Sequence, residues 1–368
     1  MGGRVGEWDG KAGTRNPMTI PITTEVHVLD DAEAPRWDRF VGARPEASFF
    51  HWSAWKRVIE ESFRHPAYFL YAERAGEICG VLPLVHLNSR LFSNGLISLP
   101  FCVAGGALGA DDAALQALDR RAEALLTELG ADFLEYRSPP QLHDASQDGW
   151  VRKDNLYANF ARDLEADEDA NLKAIPRKQR AVVRKALKSD LGYRIDADTD
   201  AFYRLYALNQ RNLGTPVPPK AYFRNLKAAF GEDCEVLTVT DGDRPIASVM
   251  SFYFRGTVMP YFTGGLPEAR RLGANDLMYW RLMRHAVGRG AARFDFGRSK
   301  AGTGPYAFKK NWGFEPVPLV YEYRLRDGHA IPDVNPLNPK YQLFIKLWQR
   351  LPLSVANLIG PYILRNIG

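Results

Sequence analysis

Two adjacent lysines, Lys309 and Lys310, stand in the stretch GTGPYAFKKNWGFEP, between an aromatic run that includes Tyr306 and a Trp-Gly-Phe turn. Ammonium groups held by a rigid aromatic frame can bind a phosphate or stabilise a developing oxyanion. Surface lysines more often cover apolar atoms with their stems while their charged heads stay in water. The segment alone therefore leaves both a binding site and a solvated surface open.

A second polar group precedes the lysines at the end of a predicted strand over residues 292–297. The stretch FDFGRSKAGTG places Arg298 and Ser299 at the strand end, where side chains are well positioned to contact a ligand. We interpret Asp295, within the strand, as a buried carboxylate tied to backbone N–H groups rather than as a general base. Arg298 and Ser299 are therefore candidate substrate-binding residues.

A third feature is the stretch EARRLGANDLMYW, in which Arg270, Gly273 and Asn275 stand at the start of a predicted helix after a strand. Free backbone N–H groups at a helix start bind pyrophosphate or carboxylate. The R-x-x-G-x-N spacing resembles the acetyl-CoA signature of GNAT acyltransferases. Asn275 is therefore a candidate substrate-binding residue, and Asp276 is a candidate proton acceptor.

The strongest local charge signal is a helix predicted over residues 173–189, which holds many cations and no acidic residue before Asp190. Helical spacing predicts a charged face with Arg177, Arg180, Arg184 and Lys188, and a core-facing side with Val182, Val183, Ala186 and Leu187. Like charges one turn apart repel, and a helix that needed only solubility would mix Glu with Lys. The pattern favours binding to phosphates of a nucleotide, lipid or RNA, with Arg177, Lys178 and Arg184 as candidate ligands, over a plain solvated face.

Composition sets broad limits on the protein. A chain of 368 residues with 46% hydrophobic residues is long enough for about two well-packed domains, and its net charge of +5 permits an anionic partner. Three widely spaced cysteines argue against a disulfide framework or a zinc site and favour a reducing cytoplasm. No apolar run reaches about 18 residues, and no GxSxG, HExxH or Walker motif is present. We expect no metal.

The predicted elements form a weak internal repeat of an α+β unit. In each half, helices precede an antiparallel hairpin and then a strand, a helix and a strand. We predict a disordered leader at residues 1–20, domains at residues 21–150 and 151–330, and a tail at residues 331–368. Within the first domain, SLPFCVAGG passes through Gly105 and Gly106 before a helix that begins at the Asp111–Asp112 pair.

The predicted tail has a different character from the two domains. NPKYQLFIKLWQRLP predicts an amphipathic helix with a broad apolar face, and LPLSVANLIGPYIL continues the apolar theme. Both pieces are too short to span a bilayer. The helix either docks on the body of the protein or lies on a membrane surface. The membrane alternative rests on Lys340, Lys346 and Arg350, which flank its Trp and Leu residues.

Residues from about 24 to 326 resemble the Fem-type aminoacyl and acyl transferases, which are built from two GNAT-like domains. The segment YAFKKNWGFEP resembles that family's F-K-x-G-F-G signature, and FDFGRS resembles its preceding strand. The chain further resembles the FemAB-related proteins found with exosortase (PEP-CTERM) systems in envelope and exopolysaccharide loci, through SLPFCVAGG, RNLGTPVPPKAYF and NPLNPKYQLF. It departs from the family at Asn311-Trp312-Gly313, which replaces Gly-Phe-Gly, and no segment is long enough for the coiled-coil arm associated with tRNA engagement.

The resemblance implies an α+β fold of two tandem GNAT-like domains with mixed sheets, followed by a C-terminal amphipathic helical tail. In the family, the lysine of the FK segment lies near the acceptor phosphates, so Lys309 is carried over as a catalytic residue. Lys310, Tyr306 and the Gly105–Gly106 turn join Arg298, Ser299, Asn275 and the basic helix as substrate-binding candidates. No tightly bound cofactor is implied, and the donor is acyl-CoA, acyl carrier protein or aminoacyl-tRNA.

These expectations describe a cytoplasmic transferase, with peripheral contact to the inner membrane through residues 338–365 as one role for the tail. It would move an acyl or aminoacyl group onto an amine or hydroxyl of a phosphate-bearing cell-envelope or exopolysaccharide precursor, which is glycan or lipid-linked. A non-catalytic module that binds anionic glycan or lipid is the alternative. RNA binding as the main function is less favoured, although tRNA remains a candidate partner, because the cations cluster in one helix rather than over a wide surface with exposed aromatic residues.

Overall fold

The structure is a computed structural model that describes residues 2, 23–89, 93–138, 143, 149–154, 156–331 and 339–367, with backbone alone described at 339–341. The predicted leader, residues 1–20, lies outside the described residues apart from Gly2. Most of each predicted domain and most of the predicted tail fall within them.

Strands and helices are both distributed over the whole described chain. The strands are β1 (Glu25–Val28), β2 (Ala67–Arg74), β3 (Glu77–Asn88), β4 (Asn94–Ser98), β5 (Leu108–Gly109), β6 (Phe133–Arg137), β7 (Trp150–Lys153), β8 (Tyr157–Asp163), β9 (Leu191–Asp196), β10 (Cys234–Asp241), β11 (Arg244–Phe254), β12 (Thr257–Gly265), β13 (Arg293–Lys300), β14 (Pro316–Pro318) and β15 (Tyr321–Leu325). The helices are α1 (Ala34–Ala43), α2 (Ala54–Phe63), α3 (Asp112–Glu128), α4 (Glu168–Ala174), α5 (Arg177–Ala186), α6 (Asp200–Leu213), α7 (Lys220–Phe230), α8 (Pro267–Leu272), α9 (Ala274–Gly288), α10 (Gly304–Asn311), α11 (Pro339–Trp348) and α12 (Leu353–Leu364).

Among the described residues these strands form two mixed sheets, which confirms the predicted fold class. The first sheet has the order β1-β2-β3-β4-β6-β15-β7 with β5 paired to β3, and the second has the order β14-β8-β13-β12-β11-β10-β9. Each sheet contains one parallel pair, β4 with β6 and β12 with β13, while the other neighbours are antiparallel. The repeat seen in the sequence is therefore a repeat of sheet architecture.

The chain crosses between the sheets more than once, so the sheets do not follow the predicted limits of 150 and 330. Strand β7 and the late strand β15 pair with each other, and β15 also pairs with β6, which places both in the first sheet. The domain limits themselves remain a prediction. The crossing matters for function because β15 carries residues of the first sheet to the edge of the second.

Aromatic side chains packed on both sheets meet in one shared cluster of the core. The ring of Phe49 lies 4.6 Å from those of Phe230 and Phe252, and Phe63 packs on Tyr222 at 4.9 Å. Aromatic contacts of this kind bury large apolar areas and restrict relative movement. Side chains that lie between the two sheets are therefore held in fixed positions.

The basic segment is two helices rather than the one predicted over residues 173–189. Helix α4 ends at Ala174, Ile175 is extended, and α5 begins after Pro176. The break has a simple cause, because the residue before a proline is driven out of the helical region. The predicted core face is also partly wrong: Val183 and Ala186 are buried, but Val182 is 39% exposed.

The tail forms helices α11 and α12, which dock on α6 and the loop that follows it. Trp348 and Ala356 are buried, and a Cβ on Gly360 would lie 3.1 Å from Val217 N. The carbonyl of Arg365 accepts a hydrogen bond from His65 Nε2 at 2.6 Å. No helix within the described residues is long and apolar enough to cross a membrane.

Candidate active site between the two sheets

The parallel strands β12 and β13 diverge, and β13 bulges where they separate. Within the described stretch 156–331 they pair at two positions, Thr257 with Arg293 and Val258 with Phe294, although both strands continue further. On its other side β13 pairs with β8 with a register shift between Asp295 and Arg298. Glycine at position 297 suits the bulge because φ there is +67°. The main chain of both strands therefore borders a gap that can receive an extended ligand.

Lys309, on helix α10, is directed at the bulge rather than at open solvent. Its Nζ donates to Gly297 O at 2.9 Å and to Arg298 O at 3.0 Å. The ammonium group also lies 5.5 Å from the Phe160 ring centroid and 5.9 Å from that of Phe296. With its side chain buried between strand and helix, Lys309 ties α10 to the bulge of β13.

Burial lowers the pKa of Lys309 to about 8, and the nearby Asp295 carboxylate opposes this effect. Asp295 accepts hydrogen bonds at Oδ1 from Gly297 N at 2.7 Å and from Asn159 Nδ2 at 3.0 Å. Burial raises the pKa of Asp295. Asp295 is thus tied to a backbone N–H as expected, and it supplies the negative charge beside Lys309.

Arg298 leaves the bulge on the side that faces the first sheet. Its Nη1 donates to Tyr321 Oη at 2.6 Å, and its guanidinium carbon lies 4.7 Å from the Tyr157 ring centroid. Arg298 is half-buried and forms no ion pair with a carboxylate of the described residues. A desolvated guanidinium whose partners are a hydroxyl and a ring retains the capacity to bind an anion.

The first sheet contributes a second arginine to this contact. Arg137, at the end of β6, donates from Nε to Glu135 Oε1 at 2.7 Å and from Nη1 to Cys102 O at 2.9 Å. Its guanidinium carbon lies 5.9 Å from the Tyr321 ring. We call Arg137, Glu135, Arg298, Tyr157, Tyr261 and Tyr321 the arginine cluster. It has two cations and one carboxylate, so it is net positive.

Three consecutive carbonyls close the cluster on the side of the first sheet. Phe101 O accepts from Tyr261 Oη at 3.4 Å, Cys102 O accepts from Arg137, and Val103 O accepts from Tyr321 Oη at 3.3 Å. Leu99 and Phe101 have positive φ values of 52° and 66°, which are costly for such residues. The surrounding contacts must therefore stabilise this conformation of the segment. Burial raises the pKa of Tyr261, so its hydroxyl stays a donor.

Sequence reasoning missed most of the arginine cluster. Arg137, Glu135, Tyr157, Tyr261 and Tyr321 lie far apart in the chain, and no local motif connects them. The available signal was in FLEYR, where two charged residues occupy a strand whose remaining side chains are apolar or aromatic. Charged residues on a buried strand require partners, which is a reason to search for a site.

The other predicted residues of the lysine segment are distributed around the bulge. The Tyr306 ring lies 5.0 Å from that of Phe160, on the same side as Lys309. Ser299 is buried, and its Oγ has no hydrogen-bond partner among the described residues. Lys310 is exposed, since the next position on a helix points about 100° away. The structure thus separates the two adjacent lysines into one buried and one solvated group.

Gly105 and Gly106 lie beside the arginine cluster, and the backbone groups of Gly106 are occupied. Gly106 N donates to Arg137 O at 3.0 Å, and Gly106 O is 3.0 Å from His51 Nε2. Gly105 has φ +135°, and a Cβ there would lie 2.9 Å from Leu99 Cβ. The glycine turn therefore holds the carbonyl segment of residues 101–103 against β6.

The start of α9 lies next to the basic helix α5. Gly273 has φ +72°, and a Cβ there would lie 3.2 Å from Ala186 Cβ. Asp276, in the first turn, accepts a short hydrogen bond from Gln179 on α5, and burial raises its pKa. The side chain of Asn275 faces the end of β12, 3.4 Å from where a Cβ of Gly265 would stand. Asn275 and Asp276 are thus near α5 and β12 rather than in the arginine cluster.

Helix α5 presents an open basic surface. A cavity of about 570 Å³ runs along it, lined by Arg177, Arg180, Ala181, Arg184, Lys185 and Lys188. The five cations of this surface are exposed apart from Arg180, which is half-buried, and none of the five forms an ion pair with a described carboxylate. The exposed positions agree with the predicted charged face.

A close contact connects the lysine segment to the basic helix. Gly313 has φ +82°, and a Cβ at this position would lie 2.8 Å from Pro176 Cδ and 3.2 Å from Ala174 O. The Trp-Gly-Phe turn therefore packs on the break between α4 and α5. Phe314 is buried there and its ring lies 4.6 Å from the Arg162 guanidinium carbon.

Comparison with known proteins agrees with this geometry. Residues 176–310 match the family model described as an acetyltransferase (GNAT) domain. A solved structure of FemX matches with a TM-score of 0.63 and 16% identity, over 87% of this chain and 100% of that one. A tandem GNAT protein from the clavulanic acid biosynthesis pathway matches with a TM-score of 0.54 and 14% identity, over 84% of this chain and 100% of that one.

A C-terminal domain of a putative lysylphosphatidylglycerol synthetase from Agrobacterium fabrum gives a TM-score of 0.54 with 11% identity, over 80% of this chain and 91% of that one. A search of curated proteins found no match. The structural likenesses are at low identity and establish the fold. Residues 176–310 are thus similar to a GNAT acetyltransferase domain, and the chain as a whole has a tandem fold like that of FemX.

Proposed function

We propose that this protein transfers an acyl or aminoacyl group onto an amine or hydroxyl of a phosphate-bearing cell-envelope or exopolysaccharide precursor. The observation that carries the proposal is the position of Arg298. This half-buried cation, with no carboxylate partner among the described residues, lies where the gap between β12 and β13 meets the first sheet. It can hold an anionic acceptor group at the end of a channel for an extended donor.

The acyl end of the donor lies in the gap between β12 and β13, and the donor's phosphates bind to the basic surface of α5. The main chain bordering the gap can hydrogen-bond the amides of a pantetheine or an aminoacyl ester. Exposed cations such as Arg177, Lys178 and Arg184 then bind the phosphates of acyl-CoA or the backbone of aminoacyl-tRNA, with Asn275 nearby at the start of α9. An acyl carrier protein, which presents a phosphopantetheine group, fits the same surface.

The acceptor lies at the arginine cluster. Its amine or hydroxyl attacks the donor carbonyl, a C–N or C–O bond forms, and the bond to the thiol of CoA or the 3′ oxygen of tRNA breaks. The acceptor's own phosphate takes the proton lost by the nucleophile and passes it to the departing sulfur or 3′ oxygen. A fixed cation beside the developing oxyanion contributes about 3–4 kcal/mol in favourable sites, and holding both reactants in place adds to this.

Lys309 supports this chemistry from behind the bulge. Because its Nζ donates to Gly297 O and Arg298 O, it fixes the main chain from which Arg298 projects. Two of its three donors are used in this way. Lys309 is therefore proposed as a positioning residue for Arg298, with its positive charge adding to the field at the acceptor phosphate.

The cellular setting of the proposal rests on the sequence resemblance to FemAB-related proteins of exosortase systems. It implies a cytoplasmic protein that acts on glycan or lipid-linked precursors before export. The similar domain from a putative lysylphosphatidylglycerol synthetase belongs to a protein named for making an aminoacylated phospholipid, which supports an aminoacyl donor and a phosphate-bearing acceptor here.

The first experiment is a titration of the full chain with labelled aminoacyl-tRNA, acetyl-CoA and long-chain acyl-CoA at near-physiological salt, followed by turnover with a UDP-linked amino sugar. We expect one donor class to bind and to be consumed only when acceptor is present. Aminoacyl-dependent tRNA binding would assign a Fem-type donor, and preferential acyl-CoA binding would assign a GNAT-type donor.

The adjacent lysines supply a matched pair of variants for the same assay. Lys309→Met removes the two hydrogen bonds to the bulge, so turnover should fall while the donor still binds. Lys310→Met changes an exposed neighbour and should leave turnover near that of the wild type. A protein that binds anionic glycan or lipid and consumes none of the donors would instead be the non-catalytic module.

A further inference from the structure

The docked tail presents a second, outward apolar face. Large side chains of this face are exposed although the same helices pack on the body through Trp348 and Ala356. The exposed residues are Leu343, Phe344, Leu347, Val355, Leu358 and Tyr362. These are six of the thirteen strongly exposed large hydrophobic residues of the described chain, so nearly half of them lie in its last 29 described residues.

The exposed residues follow helical spacing. Leu343 and Leu347 are one turn apart on α11, and Val355, Leu358 and Tyr362 are three and four residues apart on α12. Residues at this spacing share a helix face. Each helix therefore has one apolar stripe against the protein and another directed away from it.

The charge of this segment is uniform. Residues 334–368 contain Lys340, Lys346, Arg350 and Arg365 and no Asp or Glu, in a chain with 43 acidic residues. Lys346 and Arg350 are exposed beside the apolar stripe of α11. A helix with Lys and Arg flanking exposed Leu and aromatic residues matches the surface of an anionic bilayer, where apolar side chains enter the headgroup boundary and cations meet the phosphates.

We propose that α11 and α12 form a membrane-surface contact that binds anionic lipid bilayers while remaining docked on the protein. The two roles considered for the tail are then compatible, because they use opposite faces of the same helices. The inference is tested without donor or acceptor and stands apart from the proposed transferase activity.

The position of this face relates it to the candidate active site. Arg365 O is bound by His65 Nε2, and the His65 ring lies 6.5 Å from that of Phe101. Phe101 begins the carbonyl segment that closes the arginine cluster. The C-terminal end of the tail is therefore connected to the arginine cluster through His65 and Phe101.

The test is co-sedimentation of the full chain with phosphatidylcholine vesicles, with and without phosphatidylglycerol. We expect binding that requires the anionic lipid and weakens with salt. The double variant Leu347→Glu/Leu358→Glu should bind about tenfold more weakly or worse, since two apolar side chains no longer leave water. Both residues are exposed, 56% and 68%, so the fold should be unaffected.

A matched control is Val317→Glu, because Val317 on β14 is 61% exposed and lies outside the tail. It should bind vesicles as the wild type does. The variant Lys346→Gln/Arg350→Gln should bind less to vesicles that contain phosphatidylglycerol, with no change for vesicles of phosphatidylcholine only. Equal sedimentation of the double variant and the control, or no vesicle binding by the wild type, would overturn the proposal. Self-association that the double variant abolishes, without lipid binding, would instead assign the face to a second copy of the chain.

Discussion

Two groups of cations in this protein meet water in different ways. The arginines and lysines of α5 are exposed along an open cavity, whereas Arg137 and Arg298 lie between two sheets with hydroxyls, rings and carbonyls as neighbours. Exposed charges are screened within about 8–10 Å at physiological salt and act as a group. A desolvated guanidinium interacts strongly with one partner at short range. The difference suggests collective capture of a polyanion on α5 and placement of a single anionic group at Arg298.

The largest effect should follow from Arg298→Gln. Loss of the unpaired cation should lower kcat by about 10²–10³-fold while donor affinity changes little, because the contact acts on the acceptor and the developing charge. The matched control is Arg293→Gln on the same strand, where an exposed arginine pairs with Asp163. Equal losses in both variants would show that position on β13, rather than the charge between the sheets, accounts for the defect.

His143 differs from Arg298 because it is a buried cation with carboxylate partners. We expect it to contribute to stability rather than to turnover. Its Nδ1 lies 3.0 Å from Glu322 and its Nε2 lies 3.1 Å from Asp119. Burial opposes protonation, but hydrogen bonds to these two carboxylates raise the pKa of His143 to about 9. With an unfolded pKa near 6.5, the stabilisation is fully present below about pH 6.5 and is lost as pH rises through about 9.

The loss of stabilisation between pH 6 and pH 10 should be about 3 kcal/mol. Urea unfolding of the wild type and of His143→Gln across this range would measure it, and the variant should lose this part of the pH dependence. Turnover at pH 7 should remain in the folded variant. A parallel pH profile for the two proteins would contradict the assignment of charge to His143.

The exposed helix should respond to charge removal in affinity. Arg177→Gln/Arg184→Gln/Lys188→Gln should weaken donor binding about tenfold and flatten its salt dependence, with kcat at saturation unchanged. The control removes the same net charge from exposed arginines elsewhere, in Arg57→Gln/Arg224→Gln/Arg244→Gln. If the control weakens binding as much, net charge rather than α5 attracts the donor.

The smallest effect concerns Val182, which periodicity places in the core and the structure places at 39% exposure on α5. Val182→Gln should change the free energy of unfolding by less than about 0.5 kcal/mol, as is usual at exposed positions. Val183→Ala, at a buried position of the same helix, is the comparison and should cost more. A loss of stability at position 182 as large as at 183 would mean that α5 rotates on the body.

The fold and the basic surface were largely predictable because they depend on local patterns. Alternating and helical periodicity indicated the hairpins and helices, Asp111 indicated the start of α3, and the run of cations indicated α5. The break between α4 and α5 is also a local feature, because Pro176 drives Ile175 out of the helical region. Local chemistry also indicated that Arg298 ends a strand, although not what that strand end meets.

Contacts between distant segments were decided by tertiary structure alone. The return of β15 to the first sheet brings Tyr321 to Arg298, and the paired hydrogen bonds of Lys309 depend on a bulge whose shape no single segment determines. Adjacent lysines are identical in the sequence, yet one is buried and one is solvated because a helix rotates successive residues by about 100°. Periodicity determines which face a residue occupies, whereas the partner across that face is set by how the two sheets pack.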